Sequence, residues 1–152
     1  MRFRIREMDA CDRAAWAKMR AALWPDASEQ LHAAEIETFL VGPDAWSFIA
    51  ETAEGEPAGF AEVALRPYAN GCESRPVPFL EGVWIGPPFR RQELGAQLMA
   101  HIEAFLITRG FREIGSDALI DNRVSHAAHR AWGFSETERV VYFRKALNAA
   151  AR

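Results

Sequence analysis

The sequence has few cysteines, and none of them lies in a pattern that binds metal or builds a disulfide framework. Its 152 residues include only Cys11 and Cys72, which are far apart in the chain. We therefore expect two unpaired thiols in a reducing compartment, and no metal site. Apolar residues make up 49% of the chain, which is enough for a hydrophobic core without such cross-links. The length predicts a single domain over 1–147, followed by a short tail over 148–152.

The sequence also lacks a strong charge of one sign and a long apolar run. The formal net charge is −3, whereas nucleic-acid-binding domains normally carry a basic stripe. A slightly acidic balance suits a cationic partner better. No stretch is long enough to span a bilayer, and the charged start Arg2–Glu7 does not resemble a secretory signal. We expect a cytoplasmic protein that binds neither nucleic acid nor membranes.

The spacing of apolar residues predicts an alternation of strands and helices. The predicted helices run from Asp9 or Asp12 to Leu23, from Ser28 to Phe39, from about Arg91 to Arg109, and from Asp121 or Asn122 to Trp132. The predicted strands are Phe3–Ile5, Trp46–Glu51, Ala58–Leu65, Phe79–Ile85, Ile114–Ser116 and Val140–Phe143. The order β-α-α-β-β-β-α-β-α-β predicts an α/β fold.

The segment Arg90–Ala96 joins a predicted strand to the longest predicted helix. The first N–H groups of a helix have no partner within the helix, and together with the helix dipole they bind anions. Gly95 and Ala96 are small, so a phosphate could approach the backbone closely, and Arg90 and Arg91 add cationic donors. The segment predicts either a phosphate-binding loop or an ordinary solvated helix start.

Two motifs in the second half of the chain resemble the signatures of the GNAT superfamily of N-acetyltransferases. Val83–Ala96 resembles its acetyl-CoA-binding strand, Arg/Gln-x-x-Gly-x-Gly/Ala loop and helix, with Glu93 in place of the usual first glycine. Asn122–Phe134 resembles Asn-x-x-Ala-x-x-x-Tyr-x-x-x-Gly-Phe, with His129 in place of the tyrosine. The resemblance implies a mixed central sheet flanked by helices. It also implies acetyl-CoA as co-substrate, bound by Val83, Trp84, Ile85, Arg90, Arg91, Gln92, Glu93, Leu94, Gly95, Ala96, Asn122 and His129.

Shorter segments along nearly the whole chain narrow this resemblance to the aminoglycoside 6′-N-acetyltransferases. They are Leu23–Pro25, Tyr68–Cys72, Phe79–Gly82, Gly115–Asp117 and Glu136–Lys145. The resemblance implies a cationic aminoglycoside as acceptor and a homodimer. It implies acceptor contacts at Trp24, Tyr68, Glu81, Asp117 and Glu138.

Glu81 and Asp117 are the candidate catalytic residues, because an attacking amine must lose a proton to a nearby base. Glu81 lies among apolar residues of a strand that leads to the phosphate loop, and Asp117 follows another strand. The alternatives are a solvent-facing strand glutamate and a helix-capping aspartate, and Glu138 is either an acceptor contact or a surface residue. His129 either protonates the leaving thiolate or only contacts the cofactor.

Two other functions stay open on the sequence alone, because the same fold serves many activities. One is acetylation of another small-molecule or peptide amine. The other is a non-catalytic acyl-CoA-binding module, which Glu93 in the glycine position would favour.

Overall fold

The computed structural model describes residues 2–148, so all but the first residue of the predicted tail lies outside the described part. Its strands are β1 (Arg4–Glu7), β2 (Ala45–Glu51), β3 (Pro57–Arg66), β4 (Val77–Ile85) and β5 (Gly115–Ser116). Its helices are α1 (Arg13–Leu23), α2 (Glu29–Val41), α3 (Leu94–Thr108) and α4 (Arg123–Ala131), with short 3₁₀ turns at Ala10–Asp12 and Pro87–Phe89. The predicted order is confirmed up to α4.

The strands form one mixed sheet in the order β1-β2-β3-β4-β5. Neighbouring strands are antiparallel, except that β4 and β5 are parallel. The β4–β5 pairing is short, because it joins only Phe79 to Gly115 and Leu80 to Ser116. Beyond that point β4 continues to Ile85 with β3 on one side. On its other side no strand accompanies it in the part of the chain that the structure describes.

Helices cover both faces of the sheet, as the alternation of side chains along β2 and β3 requires. Phe48 and Ala61 face one way and pack with Leu98 and Ile102 of α3. Their neighbours Ile49 and Phe60 face the other way and pack with residues of α1 and α2, including Trp16, Met19 and Ile36. No helix among residues 2–148 is both long and apolar enough to cross a membrane.

The predicted final strand Val140–Phe143 is wrong for the single chain. Residues 135–148 are exposed and form no regular element; we call them the C-terminal arm. A strand needs a neighbour to pair its backbone groups, and the arm forms no ladder with the two-residue strand β5. Other boundaries differ by a few residues: β4 begins two residues early, at Val77, and α3 begins at Leu94 instead of Arg91.

The start of α1 is anchored by Asp12, which is buried. Its carboxylate accepts hydrogen bonds from Nη1 and Nη2 of Arg6 at 2.8 and 2.9 Å, and from the backbone N–H of Asp9 at 2.8 Å. The Arg6 guanidinium in particular lowers the pKa of Asp12 below its ordinary value. A group whose pKa is lower in the folded state stabilises the fold above its unfolded pKa, and this contribution is lost as the pH falls through the folded pKa.

We therefore predict that Asp12→Asn lowers the free energy of unfolding at pH 7 by about 1.5–3 kcal/mol, the usual range for hydrogen bonds to charged groups. Its deficit relative to the wild type should shrink below about pH 4, where the unfolded carboxylate is protonated. Urea unfolding at both pH values measures this. Glu37→Gln, which breaks the exposed pair with Arg13, should change little. An equal deficit at both pH values would contradict the assignment.

Candidate acceptor pocket and cofactor loop

A pocket of about 830 Å³ opens between the α1–α2 corner and strands β3 and β4. Its wall contains four carboxylates, namely Asp26, Glu35, Glu62 and Glu81. The aromatic rings of Trp24 and Phe39 also line it. An acidic pocket with flat apolar faces suits a ligand that carries several positive charges on rings. Of the acceptor residues predicted from the sequence, the pocket brings together Trp24 and Glu81.

Glu81 reaches the pocket because strand β4 bulges at this residue. Glu62 of β3 pairs with Gly82 and the next residue, Val63, pairs with Leu80. Glu81 is therefore the extra residue of β4, and such bulges turn a side chain in a new direction. Arg66 holds the turned carboxylate. Its Nε and Nη2 donate to Oε1 at 2.9 and 2.5 Å, and Nη2 also donates to Oε2 at 2.8 Å.

A buried ion pair lies at the base of the pocket and was not predicted from the sequence. Glu62 is only 1% exposed and Arg20 only 2%, and the two form a salt bridge. The indole Nε1 of Trp16 donates a second hydrogen bond to Glu62 at 2.8 Å. Burial raises the pKa of Glu62, and the contacts with Arg20 and Trp16 oppose that shift. The signal in the sequence was a charged residue on the apolar face of both α1 and β3.

The other predicted acceptor residues lie outside the pocket wall. Tyr68 is 61% exposed, and its ring lies 5.7 Å from the guanidinium carbon of Arg75. Asp117 is exposed just after β5, and Glu138 is exposed on the C-terminal arm. Asp117 does not cap a helix, because α4 is capped by Asn122, whose side chain accepts from the backbone N–H of Ser125 at 3.1 Å.

The predicted phosphate loop leaves the start of α3 open. Glu93 occupies the N-cap position without a capping hydrogen bond from its side chain, so the first N–H groups of the helix lack this partner. Arg91 and Glu93 both adopt left-handed backbone conformations, with φ of 60° and 62°. A left-handed non-glycine residue costs about 1–2 kcal/mol. Helix α3 starts later than predicted because these two residues interrupt it.

Several side chains assigned to the cofactor have structural partners within the loop. Nε of Arg90 donates to the carbonyl of Ile85, and the side-chain amide of Gln92 donates to the carbonyl of Pro88, both at 2.9 Å. Gly95 has a packing reason to be small, because a Cβ there would lie 2.9 Å from the ring of Trp132. Arg91 and Ala96 are exposed at the mouth of the loop.

His129 connects α4 to the end of β5. Its Nδ1 lies 2.7 Å from the carbonyl oxygen of Ser125, which can only accept, so Nδ1 carries the proton. In the neutral imidazole, Nε2 then accepts from the hydroxyl of Ser116 at 2.7 Å. The rings of Trp132 and Phe134 pack against the imidazole.

The open side of β4 is the third part of the predicted cofactor site. Over Val83–Ile85 the strand has backbone N–H and C=O groups on the side that β5 leaves free, because the β4–β5 pairing ends at Leu80. An extended amide-containing chain could pair there as a strand would. The loop and this edge together fit a ligand with an anionic end and an amide arm. Among residues 2–148, no three His, Cys, Asp or Glu side chains are grouped to hold a metal ion.

Comparisons with known proteins agree with the geometry. Residues 13–134 match the family described as acetyltransferase (GNAT) family. The chain is 46% identical over 148 residues to the aminoglycoside N(6′)-acetyltransferase type 1 of Stenotrophomonas maltophilia, covering 97% of this chain and 95% of that protein. It is 46% identical over 134 residues to the Serratia marcescens protein of the same name, covering 88% and 92%.

Solved structures are similar over the same extent. AAC(6′)-Iy in complex with the bisubstrate analog CoA-S-monomethyl-acetylneamine superposes with a TM-score of 0.90 at 38% identity, covering 97% of this chain and all (100%) of that one. The 6′-N-acetyltransferase AAC(6′)-Ih from Acinetobacter baumannii has a TM-score of 0.89 at 33% identity, with the same coverage of 97% and 100%. The resemblance inferred from the sequence is confirmed.

We predict that Ala96→Asp weakens CoA binding about tenfold or more, a loss of about 1.4 kcal/mol, because a carboxylate at the loop repels the CoA phosphates. An acidic residue in the first turn stabilises a helix, so weaker CoA binding by this variant would not result from unfolding of α3. The control is Ala100→Asp, which adds the same charge at an exposed position one turn further along α3. Calorimetric titration with CoA compares the two, and equal affinities would place the phosphates elsewhere.

Proposed function

The chain belongs to the acetyltransferase (GNAT) family, in the group of the aminoglycoside 6′-N-acetyltransferases, and from this premise we propose that it acetylates the 6′-amine of aminoglycosides. In a ternary complex the amine attacks the thioester carbonyl of acetyl-CoA directly, so that the amide C–N bond forms, the C–S bond breaks and CoA leaves as the thiol. The observation that carries the proposal is the acidic pocket beside β4, which joins the open edge of that strand at Glu81.

The pocket suits an aminoglycoside because its charges and faces complement a polycation. Glu81 and Asp26 offer carboxylates to ammonium groups, and the ring of Trp24 offers a flat face to a sugar ring. We propose Tyr68 and Glu138 as further acceptor contacts, reached by parts of the drug that extend beyond the pocket. The same carboxylates and rings would also bind another cationic amine, and the thiol-release assay described below distinguishes the two classes of acceptor.

Glu81 and Asp117 are the groups that we propose for proton handling. An ammonium group cannot attack until it loses a proton, whereas the remaining ammonium groups must stay charged to bind the carboxylates. Glu81 is suited to hold the reacting amine because its bulge turns it toward the pocket while the next residues form the open edge of β4. Arg66 occupies Oε1 with two hydrogen bonds and Oε2 with one. One acceptor site of Oε2 therefore remains for the amine or for a bridging water.

On the donor side, we propose that the start of α3 and the Arg91 side chain hold the phosphates of CoA. The backbone of Val83–Ile85 would pair with its amide arm, and acetyl-CoA supplies the activated acetyl group. His129 is fixed by Ser125 and Ser116, and in its neutral form it has no proton on Nε2. Its proposed contribution is to orient the Ser116 hydroxyl at the end of β5. Asn122 is proposed to act indirectly, by capping α4.

We also propose a cytoplasmic homodimer. The C-terminal arm exposes Val141, Tyr142 and Phe143, with 76% or more of each residue accessible. Contiguous exposed apolar residues of this kind mark association surfaces, and β5 is an edge strand of the sheet. Cys11 and Cys72 are both free thiols, which fits a reducing compartment.

For the acceptor carboxylates, we predict that Glu81→Gln lowers kcat/KM with aminoglycosides by about 100-fold or more, the usual scale for losing a general base. The loss should shrink at high pH, where free amine is plentiful. If Glu81 only binds the ammonium, KM rises and kcat stays nearly unchanged. Asp117→Asn is compared in the same way, with the exposed Glu54→Gln as control.

A thiol-release assay over a panel of amines provides these constants and tests the proposed function itself. Turnover with aminoglycosides and with no other amine of the panel supports aminoglycosides as the acceptor class. Turnover only with other amines would show that the acceptor belongs to a different class. Absence of turnover with CoA binding intact would favour the non-catalytic module. Near-native kinetics for both Glu81→Gln and Asp117→Asn would refute their proton-handling role.

For the dimer, we predict that the wild type sediments as a dimer at micromolar concentration and that Val141→Asp shifts it to monomer. A charge on the exposed arm would have to be buried on association. Val41→Asp is the matched control, because Val41 ends α2 and is 79% exposed compared with 76% for Val141. Analytical ultracentrifugation that finds only monomer for the wild type, or dimer for Val141→Asp, would contradict the proposal.

A further inference from the structure

The ring of Trp24 forms part of the pocket wall, and residues behind it fix its position. Trp24 is the C-cap residue of α1 and lines the pocket. The edge of its ring meets Phe60, with centroids 6.3 Å apart and planes at 75°. On another side the guanidinium carbon of Arg20 lies 4.7 Å from the ring centroid. The ring is therefore supported from two directions before any ligand enters.

A third support is the absence of a side chain at Gly82 on β4. A Cβ at this position would lie 2.5 Å from Cη2 and 2.6 Å from Cζ2 of Trp24, and 3.2 Å from Cδ2 of Leu23. Carbon atoms pack at about 3.5–4.0 Å, so a methyl group there would displace the ring by roughly 1 Å. A glycine inside a strand often marks such a close approach. Because Phe60 and Arg20 occupy the other sides, the displaced ring would move into the pocket.

Arg20 supports the backbone of Trp24 as well as its ring. The Nε of Arg20 donates to Nδ1 of His32 at 3.2 Å, which leaves the His32 proton on Nε2. That nitrogen lies 3.2 Å from the carbonyl oxygen of Trp24 and donates to it. The remaining donors of Arg20 bind Glu62 and Glu35. Arg20 therefore ties the end of α1 to α2 and to the sheet.

We propose that Gly82 and Arg20 are positioning residues that set the width of the acceptor pocket at Trp24. Gly82 allows the ring to lie against the sheet, and Arg20 holds it there. Together they keep the pocket wide enough for a ring-bearing polycation. The inference rests on the proposed function for the identity of the acceptor, and it adds two residues that act through the position of the Trp24 ring.

The test is a double-mutant cycle with Gly82→Ala and Trp24→Ala. Gly82→Ala should raise the KM for neamine about tenfold or more, because misplacement by about 1 Å is costly at a substrate site, and leave the KM for acetyl-CoA unchanged. Added to Trp24→Ala, the same change should have little further effect, because the clashing ring is gone and only the contact with the end of the Leu23 side chain, 3.2 Å from the new Cβ, remains. Equal effects of Gly82→Ala in both backgrounds would overturn the proposal.

The position of the ring is measured separately through the indole N–H signal of Trp24 in a heteronuclear NMR spectrum, assigned with Trp24→Ala. Gly82→Ala should shift this signal strongly and weaken neamine binding in an NMR titration without acetyl-CoA. An unchanged signal with unchanged neamine affinity overturns the positioning role.

If the wild type binds neamine but does not acetylate it, the proposed function fails while the titration still decides the role of Gly82. If the wild type does not bind neamine, both fail.

Arg20→Lys tests the second positioning residue. Lysine keeps a cation beside Glu62 but lacks the planar guanidinium that contacts the ring, and its single nitrogen cannot reproduce the separate bonds of Arg20 to Glu62, Glu35 and His32. It should raise the KM for neamine, leave the KM for acetyl-CoA unchanged, and broaden or shift the Trp24 signal. A loss of kcat with unchanged neamine affinity would show that Arg20 acts elsewhere. If this variant does not fold, the Gly82 cycle still decides the proposal.

Discussion

The acceptor side of the molecule depends on a charge pair removed from water. Arg20 and Glu62 are both almost completely buried, and desolvating two ions is costly unless their contacts are complete. Here the contacts are extensive, because Trp16 also binds Glu62 while Glu35 and His32 also bind Arg20. Removing one member of such a pair typically costs about 3–5 kcal/mol, because a buried charge is left alone. The pair thus fixes how α1 and α2 lie on the sheet.

Strand β4 is where the two halves of the site meet. Within one short run it carries the bulged Glu81, the glycine that Trp24 packs against, and the open backbone edge of Val83–Ile85. The short pairing with β5 is essential to this arrangement, because a longer β5 would occupy the edge. A bulge is equally necessary, since regular alternation would give Glu81 a different direction. Two departures from regular sheet geometry thereby bring a carboxylate and a backbone edge together.

The sequence predicted the regular parts of the fold well and the site only in part. Apolar spacing located the four helices and the first five strands, because burial follows that periodicity. It could not locate the start of α3, since the left-handed conformations of Arg91 and Glu93 are set by tertiary context. It also predicted a strand in the arm, because Val140–Phe143 has strand-forming residues whatever their neighbours. The Arg20–Glu62 pair was missed because pairing between distant residues leaves no periodic signal. Trp24 was predicted through resemblance and Glu81 through resemblance and its place in an apolar strand, whereas the position of Asp26 and Glu35 on the same pocket wall required the packing of α1 against α2.

The left-handed Glu93 has a consequence for how this protein can change over generations. Folded proteins lie just above a stability threshold, and most substitutions that alter a binding pocket lower stability. Glutamate and glycine codons differ by one nucleotide, and glycine accepts the backbone conformation at position 93 without steric cost. A single mutation of Glu93 to glycine can therefore raise the free energy of unfolding by about 1 kcal/mol, because it relieves the backbone strain. That amount would allow the chain to tolerate a destabilising change in the pocket wall, so the loop gives this lineage room to alter the range of amines it recognises.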